Sequence, residues 1–123
     1  MAGRTILIAD DDWELAPILA LHLRNEEYDV AYTCEGSEAL DLARQRRPDL
    51  LLLDSTLPTG DGRTVHEHLV VARDLATLPL IFLREQRNER RGEAPAIPDA
   101  ASIRKPVATS ELLRKVKAAL DPV

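Results

Sequence analysis

Four short apolar runs in this sequence each end abruptly in charge. Thr5 to Ala9 runs into Asp10, Asp11 and Asp12. Leu50 to Leu53 runs into Asp54. Leu80 to Leu83 runs into Arg84 and Glu85, and Ala101 to Arg104 runs into Lys105 and Pro106. If the runs are neighbouring strands, carboxylates and a lysine converge at one rim. Crowded carboxylates repel one another, so together they favour a hard cation bound through oxygen. Mg²⁺ suits such a rim because it keeps several waters and commonly shares its shell with a phosphate. A lysine opposite would bring a compact positive charge to that phosphate. Each residue taken singly has a plainer role: Asp12 as a helix cap, Asp54 as a turn residue, Lys105-Pro106 as an ordinary dipeptide. Their joint occurrence at matching strand ends is what points to a site.

The elements needed to hold that rim can be read from the apolar period. Leu15, Ile18, Leu19 and Leu23 recur at helical spacing. Tyr28 to Thr33 reads as a strand. Ser37 precedes Ala39, Leu40, Leu42 and Ala43, the pattern of a capped helix that Arg46-Arg47-Pro48 ends. Leu50 to Leu53 has no polar alternate, as expected of a strand buried on both faces. Leu57 to Gly62 is a turn cluster, and Val65, Leu69, Val70 and Ala72 read as a helix. Leu112, Leu113, Val116, Ala119 and Leu120 form an amphipathic C-terminal helix. Strand and helix alternating about five times imply an α/β fold, a doubly wound five-stranded parallel sheet with helices on both faces. Ligands of such sheets bind beyond the carboxyl ends of the strands, where the charged residues stand. The segment from Arg84 to Pro98 breaks the pattern. It should hold the fourth helix, yet it has almost no apolar face and two prolines. A weak or disordered helix is expected there, against the alternative of a solvated helix over Glu85 to Arg91.

The 123 residues suffice for one domain, residues 1–123, with a real core. Hydrophobic residues make up 45% and charged residues 30%, the balance of a globular chain. Aromatics are only 3%, so Leu, Ile, Val and Ala must form the core. A formal charge of −5 argues against direct nucleic-acid binding. The single cysteine, Cys34, excludes an internal disulfide and a multi-cysteine zinc site. No apolar run approaches a membrane span, and no signal-peptide core precedes Asp10, so the expected location is cytoplasmic, with no membrane partner.

The whole chain resembles the receiver domain of two-component response regulators. The matching residues are Ile6-Leu7-Ile8-Ala9-Asp10-Asp11-Asp12, Pro48-Asp49-Leu50-Leu51-Leu52-Leu53-Asp54, Leu57-Pro58 with Gly62, and Lys105-Pro106, at spacings that also fit. The resemblance implies a flavodoxin-like sheet of order 2-1-3-4-5 with five helices. It implies that Asp54 accepts a phosphoryl group from a histidine kinase or a histidine phosphotransfer protein. It implies Mg²⁺ or Mn²⁺ held by Asp11, Asp54 and the Thr56 carbonyl, with Asp10 acting through water. Lys105 would pair with the phosphoryl oxygens, and the Lys105–Pro106 peptide would be cis. A downstream protein or a second copy would read the output.

The sequence departs from the family at the switch positions. Arg84 and Glu85 stand where the fourth strand usually ends in a hydroxyl residue followed by a small one, and Ser102 stands where the fifth strand usually carries an aromatic. Arg84 has two readings: it reaches the phosphoryl group or Asp54, weakening Mg²⁺ attraction and damping the switch, or it points into solvent. These departures support an alternative, a pseudo-receiver that acts as a phosphorylation-independent interaction module. An enzyme is not expected, because Asp54-Ser55-Thr56 has no second acid two residues on to protonate a leaving group. A flavin carrier would need phosphate donors where the first loop is Asp-rich. His22, His66 and His68 read as surface histidines, Cys34 as an unreactive thiol, and Trp13 as a residue at the rim that walls a pocket or covers a helix.

Overall fold

The structure, a computed structural model, describes residues 3–85 and 101–121. Five strands form one parallel sheet: β1 (Thr5–Ala9), β2 (Asp29–Thr33), β3 (Leu50–Asp54), β4 (Leu80–Arg84) and β5 (Ser102–Arg104). Their order is β2-β1-β3-β4-β5, as the family resemblance implies. The helices among the described residues are α1 (Leu15–Arg24), α2 (Gly36–Arg46), α3 (Val65–Val71) and α4 (Thr109–Leu120), with a 3-10 turn at Arg73–Leu75. The expected weak helix between Arg84 and Pro98 falls, beyond Glu85, outside the described residues.

Strand alternation sorts the core into two layers. Ile6, Ile8, Leu50, Leu52, Ile81 and Leu83 pack under α1 and α4. Leu7, Ala9, Leu51, Leu53 and Phe82 face the other way, under α2 and α3. Because both layers are closed, Leu50, Leu51, Leu52 and Leu53 are all 0% exposed, which is why β3 needs no polar alternate. The same alternation continues past the core. It puts Asp10 and Asp54 in line with Ile8, Leu52 and Leu83 on one face, and Arg84 in line with Phe82 on the other.

The turns that aim the strand ends are built by local hydrogen bonds. Asp12 Oδ1 accepts from the amides of Glu14 and Leu15, both at 3.0 Å, so Asp12 does anchor the entry to α1. The Ser37 cap does not occur. Helix α2 begins two residues earlier than a Ser37 cap would place it, at Gly36, with Glu35 as its extended N-cap residue. The physical reason is Thr33, whose hydroxyl donates to the Glu38 carboxylate and accepts from the Glu35 amide at 3.1 Å. Those two bonds fix the first turn from the end of β2. Helix α3 has a true capping box: Thr64 Oγ1 accepts from the Glu67 amide at 3.2 Å, and Glu67 Oε1 accepts from the Thr64 amide at 2.9 Å.

Gly36 locks α2 onto the loop that follows β3. A Cβ there would lie 2.0 Å from the Pro58 carbonyl oxygen and 3.1 Å from Val65 Cγ2. The backbone cannot yield without moving the β3–α3 loop. Gly36→Ala is therefore expected to lower the stability measured by urea unfolding by about 1–3 kcal/mol, the cost of overpacking. An unchanged midpoint would show that the loop relaxes at no cost.

Candidate functional site

Three strand ends deliver carboxylates and one lysine ammonium to one rim. Each of Asp10, Asp11 and Asp54 offers a carboxylate oxygen within 4.8 Å of the other two. Asp10 is 0% exposed and Asp54 4%, whereas Asp11 faces solvent. Lys105, delivered by β5, places Nζ 2.8 Å from Asp10 Oδ2 and 3.9 Å from Asp54 Oδ2. The Lys105–Pro106 peptide is cis. Glu85 Oε1 lies 3.6 Å from the same ammonium, a contact the sequence reading did not foresee.

Each acidic group is held differently. Asp10 Oδ1 accepts from the Asp12 amide at 2.9 Å. Asp10 Oδ2 is buried with no aligned hydrogen-bond donor. Its approach to Lys105 is a close charge contact outside hydrogen-bond geometry. Asp54 Oδ1 accepts from the Thr56 amide at 3.0 Å and the Thr56 hydroxyl at 3.1 Å. Asp54 Oδ2 is therefore the oxygen turned toward Lys105. Burial pushes the Asp10 carboxyl above its ordinary value, although Lys105 and the Asp12 amide pull it down. Burial and then the neighbouring Asp54 push Asp11 the same way. Burial pulls Lys105 down, but Asp10, Asp54 and Glu85 together outweigh it and leave the ammonium above its ordinary value.

The donor set fits a hard divalent cation. Three carboxylates offer oxygen ligands there beside the Lys105 ammonium, and buried Asp10 Oδ2 lacks the aligned donor that a buried carboxylate oxygen normally has. Cation chemistry would relieve both the repulsion and that deficit.

Of the switch positions, Glu85 reaches this cluster through Lys105, whereas Arg84 and Ser102 lie apart from it. Asp54 pairs with Leu83 across β3 and β4, so Arg84 is one residue further on and on the opposite sheet face. Among the described residues no ion pair joins Arg84 to Asp10, Asp11 or Asp54. Its carbonyl accepts from the Lys105 amide at 2.9 Å. Ser102 is buried on the face of Phe82, its register partner. The carbonyl of Ser102 accepts from Lys115 Nζ at 2.7 Å. Sequence reasoning left Lys115 unnoticed, since a lysine on an amphipathic helix gives no sign of burial.

The remaining conspicuous residues take up structural positions. His66 packs edge-on against Phe82, His68 Nε2 lies 2.9 Å from Asp61 Oδ2, and His22 meets the Thr109 hydroxyl. Burial and the nearby Asp10, Asp11 and Asp12 push the half-buried Cys34 thiol up, away from the reactive thiolate. Trp13 is 73% exposed beside the rim, so it neither walls a pocket nor covers α1.

Residues 6–117 match the response regulator receiver domain family. A solved protein assigned as a response regulator from Chloroflexus aurantiacus J-10-fl is similar at 32% identity, over 96% of this chain and 98% of that one, with a TM-score of 0.76. A CheY-like receiver domain protein from Methanospirillum hungatei JF-1 matches at 28% identity, over 98% and 95% of the two chains, with a TM-score of 0.76. The chemotaxis response regulator CheY4 of Vibrio cholerae shares the fold at 22% identity and a TM-score of 0.73, over 97% of this chain and 100% of that one. The chain belongs to the response regulator receiver domain family.

Two substitutions test the electrostatics of the rim. Lys105→Ala leaves the buried Asp10 carboxylate without its cation and should destabilise the protein by about 3–5 kcal/mol in metal-free buffer. Asp11→Asn removes a like charge at an exposed position and should raise stability by about 0.5–1 kcal/mol. Urea midpoints in the presence of a chelator read both, and a destabilising Asp11→Asn would show that Asp11 is held by attraction.

Proposed function

We propose that this receiver domain accepts a phosphoryl group on Asp54 from a histidine kinase or a histidine phosphotransfer protein, and passes the change to a downstream protein or a second copy of itself. The observation that carries the reading is the meeting of Asp10, Asp11 and Asp54 with Lys105 at one rim. Asp11, Asp54 and the Thr56 carbonyl would hold Mg²⁺ or Mn²⁺, with Asp10 acting through water. A cation held by these residues would supply positive charge against the carboxylates and the oxyanion of the incoming group.

The side chains divide the remaining work. The Asp54 carboxylate is the nucleophile. An oxygen–phosphorus bond forms to it as the phosphorus–nitrogen bond of the donor phosphohistidine breaks, and the electron pair returns to the imidazole. Thr56 holds Oδ1 by two hydrogen bonds, so the carboxylate cannot rotate and Oδ2 is presented for in-line attack. Lys105, near Oδ2, pairs with the phosphoryl oxygens. Glu85 opposes this by holding part of the field of Lys105 and by placing negative charge where a phosphodonor must approach. The domain is a phosphoryl acceptor with no substrate of its own to turn over. A purely phosphorylation-independent module would need neither the buried Asp54 nor the converging lysine. The described helices include none long and apolar enough to cross a membrane.

Treatment with acetyl phosphate and Mg²⁺ should add one phosphate to the intact mass of the wild type and none to Asp54→Asn. A modified Asp54→Asn protein would move the acceptor elsewhere. Mg²⁺ titration followed by the fluorescence of Trp13 should saturate in the wild type and vanish in Asp11→Ala. Glu85→Gln should be labelled about two- to five-fold faster at low salt, the size of an exposed charge interaction, with the gain lost at high salt. An unchanged rate would show that the Glu85 charge is fully screened.

A further inference from the structure

We propose that a cavity at the amino-terminal end of the sheet binds a small organic oxyanion, a carboxylate or phosphate monoester on a flat apolar body, with Arg47 as its anchor. The cavity has a volume of about 610 Å³, within the range of small-molecule sites. It lies where α2 turns into β3 and where the 3-10 turn leads into β4, at the other end of the strands from Asp54. Its apolar walls are Ala43, Pro48, Leu75, Leu78 and Pro79. Its charges are unequally satisfied. Arg44 Nε donates to Asp74 Oδ2 at 2.8 Å, a bond that spans α2 and the 3-10 turn and forms one side of the opening. Asp74 is held below its ordinary value, chiefly by that bond. Asp49 Oδ2 accepts from the Thr5 amide at 2.8 Å. Both lining carboxylates are thus engaged, and among the described residues none pairs with Arg47.

Arg47 also sits in an unusual backbone conformation. As the residue that ends α2 it has φ 45° and ψ 62°, the left-handed region that glycine or asparagine normally fills at such a cap. A bulky side chain is disfavoured there. Arg47 lines this otherwise satisfied cavity as an exposed residue, and a guanidinium fork matches carboxylate or phosphate oxygens in pairs. The chain as a whole carries a charge of −5, so an anion entering the cavity meets a local cation that the overall field does not provide. The apolar walls then account for the flat body, since an inorganic anion would leave them in water.

The test uses the full chain in metal-free buffer with amide NMR. Naphthyl phosphate and naphthoate should shift the amides of Arg47, Asp49, Leu75 and Leu78 saturably. Naphthol and inorganic phosphate, each lacking half of the ligand, should bind at least about tenfold more weakly. Arg47→Gly keeps the left-handed cap, so it should melt no lower than the wild type while binding naphthyl phosphate about tenfold more weakly. Asp54→Asn should bind as the wild type does, which separates this site from the rim. Equal binding by Arg47→Gly, shifts concentrated at Asp10, Asp11 and Asp54, or loss of binding in Asp54→Asn would each overturn the proposal.

Discussion

Burial of the Asp10 carboxylate against the Lys105 ammonium is the constraint on which the rim depends. Asp10 has no exposure, and its Oδ2 has Lys105 at 2.8 Å but no aligned donor. A buried carboxylate is tolerated only with a cation close by, since its desolvation is otherwise too costly. That requirement brings the end of β5 to the end of β1, across β3 and β4. Asp54, at the end of β3, lies between them and inherits the same lysine. Asp11 needs no such burial and stays outside, where its charge adds to the repulsion. The sheet order and the electrostatics of the site are therefore one arrangement.

What the sequence made legible follows from how strongly each feature is dictated. The strand Leu50–Asp54 was plain because a strand covered on both faces must be continuously apolar. Asp10, Asp11, Asp54 and Lys105 were plain because they stand at three abrupt ends of apolar runs, which converge when the runs are strands of one parallel sheet. Gly36 was not, because its role is a close approach to Pro58, a residue of another loop. The start of α2 was misplaced for a related reason. Ser37 is a good cap by type, but Thr33 and Glu38 fix the turn from the preceding strand. Glu85 read as a departure from a family pattern, and its contact with Lys105 depended on tertiary placement. Lys115 shows the same limit: its buried ammonium donates to the Ser102 carbonyl, a group on β5, as well as pairing with Glu111 one turn away.

The unusual residues at the ends of β4 and β5 acquire a physical meaning once strand parity is considered. Asp54 lies opposite Leu83, and so Arg84 belongs to the other sheet face. A long cation at this position does not neutralise the acidic cluster, as an inward-facing reading would require. The charge that does reach the rim from the end of β4 is that of Glu85, with sign opposite to Arg84. The departure from the family pattern therefore adds negative charge near Lys105 and removes none from the carboxylates.

On the reading proposed for Asp54, this fixes where a structural response must begin. A ligand shifts a conformational equilibrium only through contacts that differ between the two states. The cation whose contacts must change when Asp54 is modified is Lys105, now shared among Asp10, Asp54 and Glu85. Its backbone amide is bonded to the Arg84 carbonyl at 2.9 Å. Movement of Lys105 toward a new oxyanion would loosen its hold on Glu85 while the amide keeps β5 registered on β4. On that reading, an electrostatic exchange at Lys105 would free the Glu85 carboxylate, with no hydroxyl needed at residue 84. Ser102, small and buried on the face of Phe82, offers no bulky side chain to carry a concerted rotation. The first contacts to change would then be those of Lys105 with Asp10, Asp54 and Glu85.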